Sequence, residues 1–205
     1  VKIRPVSTVE ALAADLRRRV LSGEIAPGTA LPEQELSGRY GVARPTVREA
    51  LAALVHEGLL RREPNRSAYV PEVTLADLAD LMLVRRPLEN LMATSLAGSR
   101  VPAADRALSR MAALPPDAPW ADVVAEHMAL HEALIVAVGS PRLERMYATL
   151  TAETRLGLVR LRTVYQDRER LVAEHLGLLR AIATGPAEVA RRAVAAHLDH
   201  TWGAD

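Results

Sequence analysis

The sequence contains no cysteine, and Lys2 is its only lysine. Without thiols the chain can form neither a disulfide nor a thiolate metal site, so any metal must bind to nitrogen or oxygen. Long apolar runs are missing too. Charges interrupt every stretch that approaches the roughly 20 residues needed to cross a bilayer, and "VKIRPVSTVEALAADLRRR" lacks the apolar centre of a secretion signal. The absence of a glycine-rich phosphate loop, of H-E-x-x-H and of the di-iron E-x-x-H spacing removes three common chemistries. Repeats and low-complexity segments are also lacking. What remains is 205 residues, 49% hydrophobic and 25% charged, which suits two globular domains. A net charge of +1, with 11 basic against 9 acidic residues over positions 1–73, carries no polyanion-binding excess. A soluble, cytoplasmic protein without a membrane partner is expected.

The chain changes character at "VPEVT", residues 70–74. This divides it into a domain over 1–72 and an all-helical one over 75–202. In the first, "TVEALAADLRRRVLSG" places Val9, Leu12, Leu16 and Val20 on one helical face and stops at Gly23. A Pro-Gly turn leads to a short helix from Glu33 to Tyr40, broken by Gly41. "ARPTVREALAALVHEGLL" then has Val47, Leu51, Leu54 and Val55 at helical spacing, ending at Gly58. "LLRREPNRSAYV" reads as two short strands around the turn "PNRS". Helix, helix, tight turn, helix and hairpin make a winged helix-turn-helix.

With Val47, Leu51 and Leu54 turned to the core, Arg44, Thr46 and Arg48 are left near the start of the third helix. Arg44 and Arg48 are four apart and project from one side of the helix terminus that meets bases in such motifs. A guanidinium there can donate two hydrogen bonds to guanine O6 and N7, or clamp a phosphate. The plain alternative is two solvated arginines, one paired with Glu49 or Glu57.

From "VLSGEIAPGTAL" through Val70 the chain resembles the N-terminal domain of the GntR family of bacterial transcription regulators. The resemblance rests on Gly23, Pro27-Gly28, Leu31, Glu35-Leu36, Gly41-Val42, Arg44, Val47 through Leu51, Leu54, Glu57-Gly58-Leu59 and Asn65-Arg66. It implies a DNA-binding surface of Arg44, Thr46 and Arg48, with Arg66 on the wing. Two positions depart from the family pattern. Ala43 stands where Ser or Thr is usual, which forfeits a helix cap worth about 0.5–2 kcal/mol, and Ser67 replaces the usual wing-tip glycine.

Beyond Thr74 six or seven helices are expected: a pair over Leu75–Ser99 with a kink or break at Pro87, then Pro102–Ala113, Trp120–Val138, Arg142–Arg162, Arg168–Thr184 and Pro186–His200. Short connections make them an antiparallel bundle. His127 and His131, four apart in "AEHMALHEAL", leave one helix face together. His175 lies between Leu171 and Leu178, and His197 between Val194 and Leu198. A single histidine on an apolar face is usually a hydrogen-bonded core residue. Four imidazoles converging from three helices need a shared partner, and neutral imidazole suits Zn²⁺ or Ni²⁺. His200 is expected to be solvent-exposed, and His56 has no assigned role.

"RRPLE", "HMALHEALIVAVGSPRL", "EHLGLLRAI" and "AAHL" extend the resemblance to the FadR-type ligand-binding domain of GntR regulators. Metal-binding members hold a divalent cation with three histidines and an acidic residue. The histidines correspond to His131, His175 and His197, and His127 occupies the acidic position, so an all-histidine set is implied. Arg85 corresponds to an arginine that faces the cavity; its plain alternative is a surface salt bridge with Glu89. The resemblance implies a homodimeric repressor on an inverted-repeat operator, governed by a small carboxylate effector at the metal. The alternatives are a metal-dependent hydrolase or oxygenase fused to a DNA-binding module, and a purely structural metal. Glu126 and Glu132 point away from the His127/His131 face by helical phase, which disfavours the enzyme.

Overall fold

The computed structural model describes residues 7–160 and 167–200, apart from the side chains of Arg160 and His200. The chain divides between Val73 and Thr74 into two compact units. The first contains α1 (Thr8–Leu21), β1 (Ala30–Leu31), α2 (Glu33–Tyr40), α3 (Arg44–His56) and β2 (Ala68–Tyr69). α1 begins in a reciprocal cap. The Glu10 N–H donates to Ser7 Oγ at 3.1 Å and the Ser7 N–H donates to the Glu10 carboxylate at 2.9 Å. Leu12, Leu16 and Val20 of α1 are buried with Val47, Ala50, Leu51 and Leu54 of α3. Val9 is only half-buried. The Arg19 guanidinium bonds Glu24 and the Tyr40 hydroxyl, and that hydroxyl donates to Asp15, fixing α2 to α1.

Gly41 ends α2 at φ 65°, the left-handed conformation that lets the chain turn at once into α3. Ala43 precedes α3 without a side-chain cap. The expected hairpin forms, reduced to one antiparallel bridge between Arg61 and Tyr69, and a further short strand joins it. β2 lies antiparallel to β1, Leu31 opposite Ala68, and bridges on its other side only to Arg61. The β1 pairing buries Leu31 and Ala68, whereas the Arg61 arm diverges towards the Glu63–Arg66 turn. Pro64 and Asn65 occupy the middle of that turn, Asn65 at φ 61°.

The second unit contains α4 (Leu75–Leu96), α5 (Pro102–Ala113), α6 (Trp120–Ala137), α7 (Pro141–Arg160), α8 (Arg168–Thr184) and α9 (Ala187–His200). Thr74 and Asp77 form the capping box that starts it, at 3.1 and 2.8 Å. α4 is one helix rather than the expected pair, because Pro87 lies on its exposed side. There water can take up the backbone carbonyl that a proline leaves unpaired. α4 packs closely on α7, since a Cβ at Gly157 would come within 2.4 Å of Leu78. α6 is buried on several sides through Val123, Val124, Met128, Leu130, Leu134 and Ile135. The expected end of the fifth bundle helix at Arg162, the domain end at 202 and the exposure of His200 lie outside the described residues.

Leu51 is wholly buried between α1 and α3, so Leu51→Ala should lower unfolding stability by about 2–5 kcal/mol through lost burial and a residual cavity. Urea denaturation of the two proteins measures the difference.

Candidate metal centre and nucleic-acid interface

Three helices carry the four bundle histidines to one place. α6 contributes His127 and His131 one turn apart, α8 contributes His175 and α9 contributes His197, all buried. Their ligand nitrogens lie within 4.8 Å of one another. His131 Nε2 is the hub: it lies 3.1 Å from His127 Nε2, 3.2 Å from His175 Nε2 and 3.2 Å from His197 Nε2. A neutral ring nitrogen holds either one proton or one lone pair, so it cannot satisfy three such neighbours. Nitrogens sharing a cation through bonds of 2.0–2.1 Å stand about 3.0–3.4 Å apart, which matches the three distances. The donor set therefore fits a borderline divalent ion.

The surroundings of three of the rings suit such a role. His175 Nδ1–H donates to the Leu171 carbonyl at 2.7 Å, leaving the Nε2 lone pair for the centre. Burial, with the neighbouring His131 adding to it, pushes the His175 pKa down to about 3. Burial and the neighbouring histidines likewise hold His127 and His197 well below the usual imidazole value.

Arg85 and Glu89 of α4 lie beside the cluster, 1% and 0% exposed. They form an ion pair, as the spacing allows, but a buried one and not the surface bridge of the plain alternative. Tyr147 Oη accepts from Arg85 Nη2 at 3.0 Å and donates to Glu89 Oε1 at 2.8 Å. Thr154 Oγ1 accepts from Arg85 Nη1 at 3.3 Å. Glu89 Oε2 faces His131 Nδ1 at 3.3 Å. Burial pushes the Glu89 carboxyl up, but Arg85 together with the neighbouring His131 and His197 more than offsets this and holds it below the carboxylate range. Glu89, Tyr147 and Thr154 were absent from the expected site. Glu126 is engaged by Arg110 at 2.9 Å.

In the first unit, Arg44 and Arg48 are exposed at the start of α3, and Thr46 is half-buried. Arg48 donates to Glu33, not to Glu49 or Glu57, with Nη2 at 3.0 Å. Glu57 instead accepts from Arg17 Nε at 2.8 Å. Arg62 reaches the same Glu33 at 3.3 Å. The hydrogen bond from Arg48 is the main cause that holds the Glu33 carboxyl below its usual value. Arg66 projects from the wing turn, three-quarters exposed, beside Glu63 at 3.1 Å. The residues expected to face DNA thus lie at the α3 start and on the wing turn, with Glu33 and Glu63 as acidic partners.

A winged helix-turn-helix and a helical bundle with a buried histidine cluster together define a one-component DNA-binding regulator. The comparisons agree. Residues 8–70 match the family described as bacterial regulatory proteins, gntR family, and residues 80–200 match the FCD domain. The chain belongs to the GntR family of transcription regulators, in the group with the FadR-type C-terminal domain. It is 25% identical to the gluconate operon transcriptional repressor of Bacillus licheniformis over 96% of this chain and 84% of that protein. It is 39% identical to the HTH-type transcriptional repressor RspR of Escherichia coli over 74 residues, 36% of this chain and 32% of RspR. That match spans about a third of RspR's length. A putative GntR regulator from Rhodococcus sp. RHA1 shares the fold, with a TM-score of 0.80 at 23% identity over 95% of both chains. These relatives and families are transcription regulators and not enzymes, which sets aside the hydrolase or oxygenase alternative.

The depressed imidazoles make the fold acid-sensitive. An unfolded histidine binds a proton below about pH 6.5, whereas His175 resists protonation to about 3. Its contribution is therefore intact above pH 6.5 and is lost progressively as the pH falls from there towards 3. Chelated protein should lose about 2 kcal/mol at pH 5 relative to pH 7.5 from this residue alone, measured by urea unfolding at both values.

Proposed function

We propose that the chain is a homodimeric repressor whose affinity for an inverted-repeat operator is set by a small carboxylate effector at a metal-containing pocket in the bundle. The carrying observation is the His131 nitrogen with three imidazole nitrogens at 3.1–3.2 Å. His127, His131, His175 and His197 would hold the ion, Zn²⁺ or Ni²⁺ by donor type. When bound, the ion supplies Lewis-acid affinity for a carboxylate oxygen. Neutral imidazoles cancel none of the ion's charge, and the single carboxylate of Glu89 cannot balance both a dication and Arg85, which favours an anion as the next partner. Arg85 supplies the second positive charge. Its Nη atoms are held by Glu89, Tyr147 and Thr154, and its Nε has no hydrogen-bond partner among the described residues. Burial of these groups would keep water from them and strengthen the grip on charge.

On the DNA side, Arg44, Thr46 and Arg48 would read the major groove and Arg66 would follow the backbone from the wing. Arg48 reaches bases by exchanging Glu33 for them. An exposed pair of this kind is weak and readily given up. Repression agrees with the roles of the gluconate operon repressor and RspR, and two-fold pairing doubles a readout that one winged module makes over only a few base pairs.

The protein should hold about one divalent cation per chain by elemental analysis and reload it after chelation. His175→Ala should abolish reloading, whereas His127→Asp should preserve it. Equal reloading by wild type and His175→Ala would mean that the cluster is only core. If chelation lowers the melting temperature but leaves the carboxylate response of operator binding unchanged, the metal is a structural staple.

Arg44→Ala and Arg48→Ala should each weaken operator binding roughly tenfold to hundredfold and flatten sequence preference, read by mobility shift on operator and scrambled duplexes. An equal loss on all sequences with a shallower salt dependence would make the residue a phosphate contact. Tight binding of a monomer to an asymmetric site would overturn the dimer.

A further inference from the structure

Every imidazole that ligates through Nε2 must carry its proton on Nδ1, and a buried Nδ1–H needs an acceptor. For His175 the acceptor is the Leu171 carbonyl. His131, the hub of the cluster, has no carbonyl partner. Its Nδ1 lies 3.3 Å from Glu89 Oε2, and both atoms are fully buried with no formed hydrogen bond among the described residues. Two orphaned polar atoms turned towards each other in an apolar bundle are a costly arrangement unless they serve one another.

The carboxylate is aimed from its other end. Oε1 accepts from Arg85 Nη2 and from the Tyr147 hydroxyl, and these anchors on α4 and α7 fix the rotation that presents Oε2 to His131. Glu89 is also the buried carboxylate beside the cluster. Four neutral imidazoles bring no negative charge to a dication, so charge compensation falls to a carboxylate behind the ligands.

We infer that Glu89 is a positioning residue for the metal centre: its Oε2 accepts the His131 Nδ1–H, fixes the tautomer that turns the Nε2 lone pair inward, and supplies the negative charge the ligands lack. This rests on the metal reading above. It also makes Arg85 and Tyr147 indirect supports of the centre, acting through the orientation of Glu89.

The test uses full-length protein at pH 7.5 and two measurements. The first is affinity for Zn²⁺ alone, from competition with a chromophoric chelator. Glu89→Gln keeps the shape and loses the charge, and should weaken Zn²⁺ about 10- to 100-fold. Because that variant leaves Arg85 uncompensated and could unfold, Arg85→Met/Glu89→Gln is measured beside it. Removing Arg85 alone would tighten a cation, so a 10- to 100-fold loss in a folded double variant supports the inference, and unchanged affinity overturns it. The second measurement is the ¹⁵N signature of the His131 ring in chelated wild type. A proton on Nδ1 that redistributes in the double variant supports the inference; a proton on Nε2 in wild type overturns it. If wild type binds no Zn²⁺, the metal reading fails by itself, and the ring signature still decides what Glu89 does to His131.

Discussion

The bundle is built around a ring nitrogen with more neighbours than it can satisfy. Three imidazole nitrogens crowd His131 Nε2 inside an apolar interior, where an unmet lone pair costs free energy and cannot be hydrated. Residues only as large as the site needs could have been leucines, and the core would have been more stable in acid. The elements around the cluster follow from this demand. α6 must run through the middle to present two rings on one face, and α8 and α9 must each bring one ring to the same point. The Leu171 carbonyl, one turn before His175, sets that ring's tautomer at no extra cost to the fold, because a helical carbonyl can accept a second bond.

The Arg85–Glu89 pair is governed by similar reasoning. A buried ion pair is weak evidence for stability, since desolvating two charges offsets much of their attraction. Its worth lies in what it fixes. With Tyr147 donating to the same carboxylate oxygen that Arg85 holds, the second oxygen has little choice of direction, and it faces the hub histidine. Arginine, tyrosine, glutamate and histidine thus form one connected polar line from α7 through α4 to α6. An anion drawn to Arg85 would act on one part of this line, and a metal held by the histidines would act on the other.

Much of this was legible in the sequence, and the misses have physical causes. The histidine set could be read because each ring interrupts an otherwise apolar helical stripe, a pattern that survives without knowledge of the packing. The helices over 102–113 and 168–184 have their termini where expected, set by Pro102, Asp167 and Gly185. Pro87 misled because the rule against proline assumes that the lost bond is buried, whereas here it lies on the water-facing side. The strand partner of β2 was missed because β1 is two residues long and carries no periodicity to read. The role of Glu89 had a signal: Leu78, Met82, Arg85, Glu89, Met92 and Leu96 form one buried stripe, so both charges stand where a core residue belongs. An i, i+4 pair of opposite charge looks like surface until the stripe it occupies is noticed.

The two polar sites contrast in a way that suits their proposed tasks. At the start of α3, Glu33 gathers Arg48 and Arg62 in an exposed arrangement, where each pair is weak and water can substitute for either partner. A phosphate or a guanine edge can therefore displace it without dismantling the fold, and the acidic partner keeps the arginines ordered meanwhile. In the bundle the polar groups have no water to fall back on, so each contact is hard to exchange and each change is felt by its neighbours. Reversible reading of a long anionic polymer calls for the first kind of site. Discrimination of a small anion, where one mispaired buried group must carry a large penalty, calls for the second.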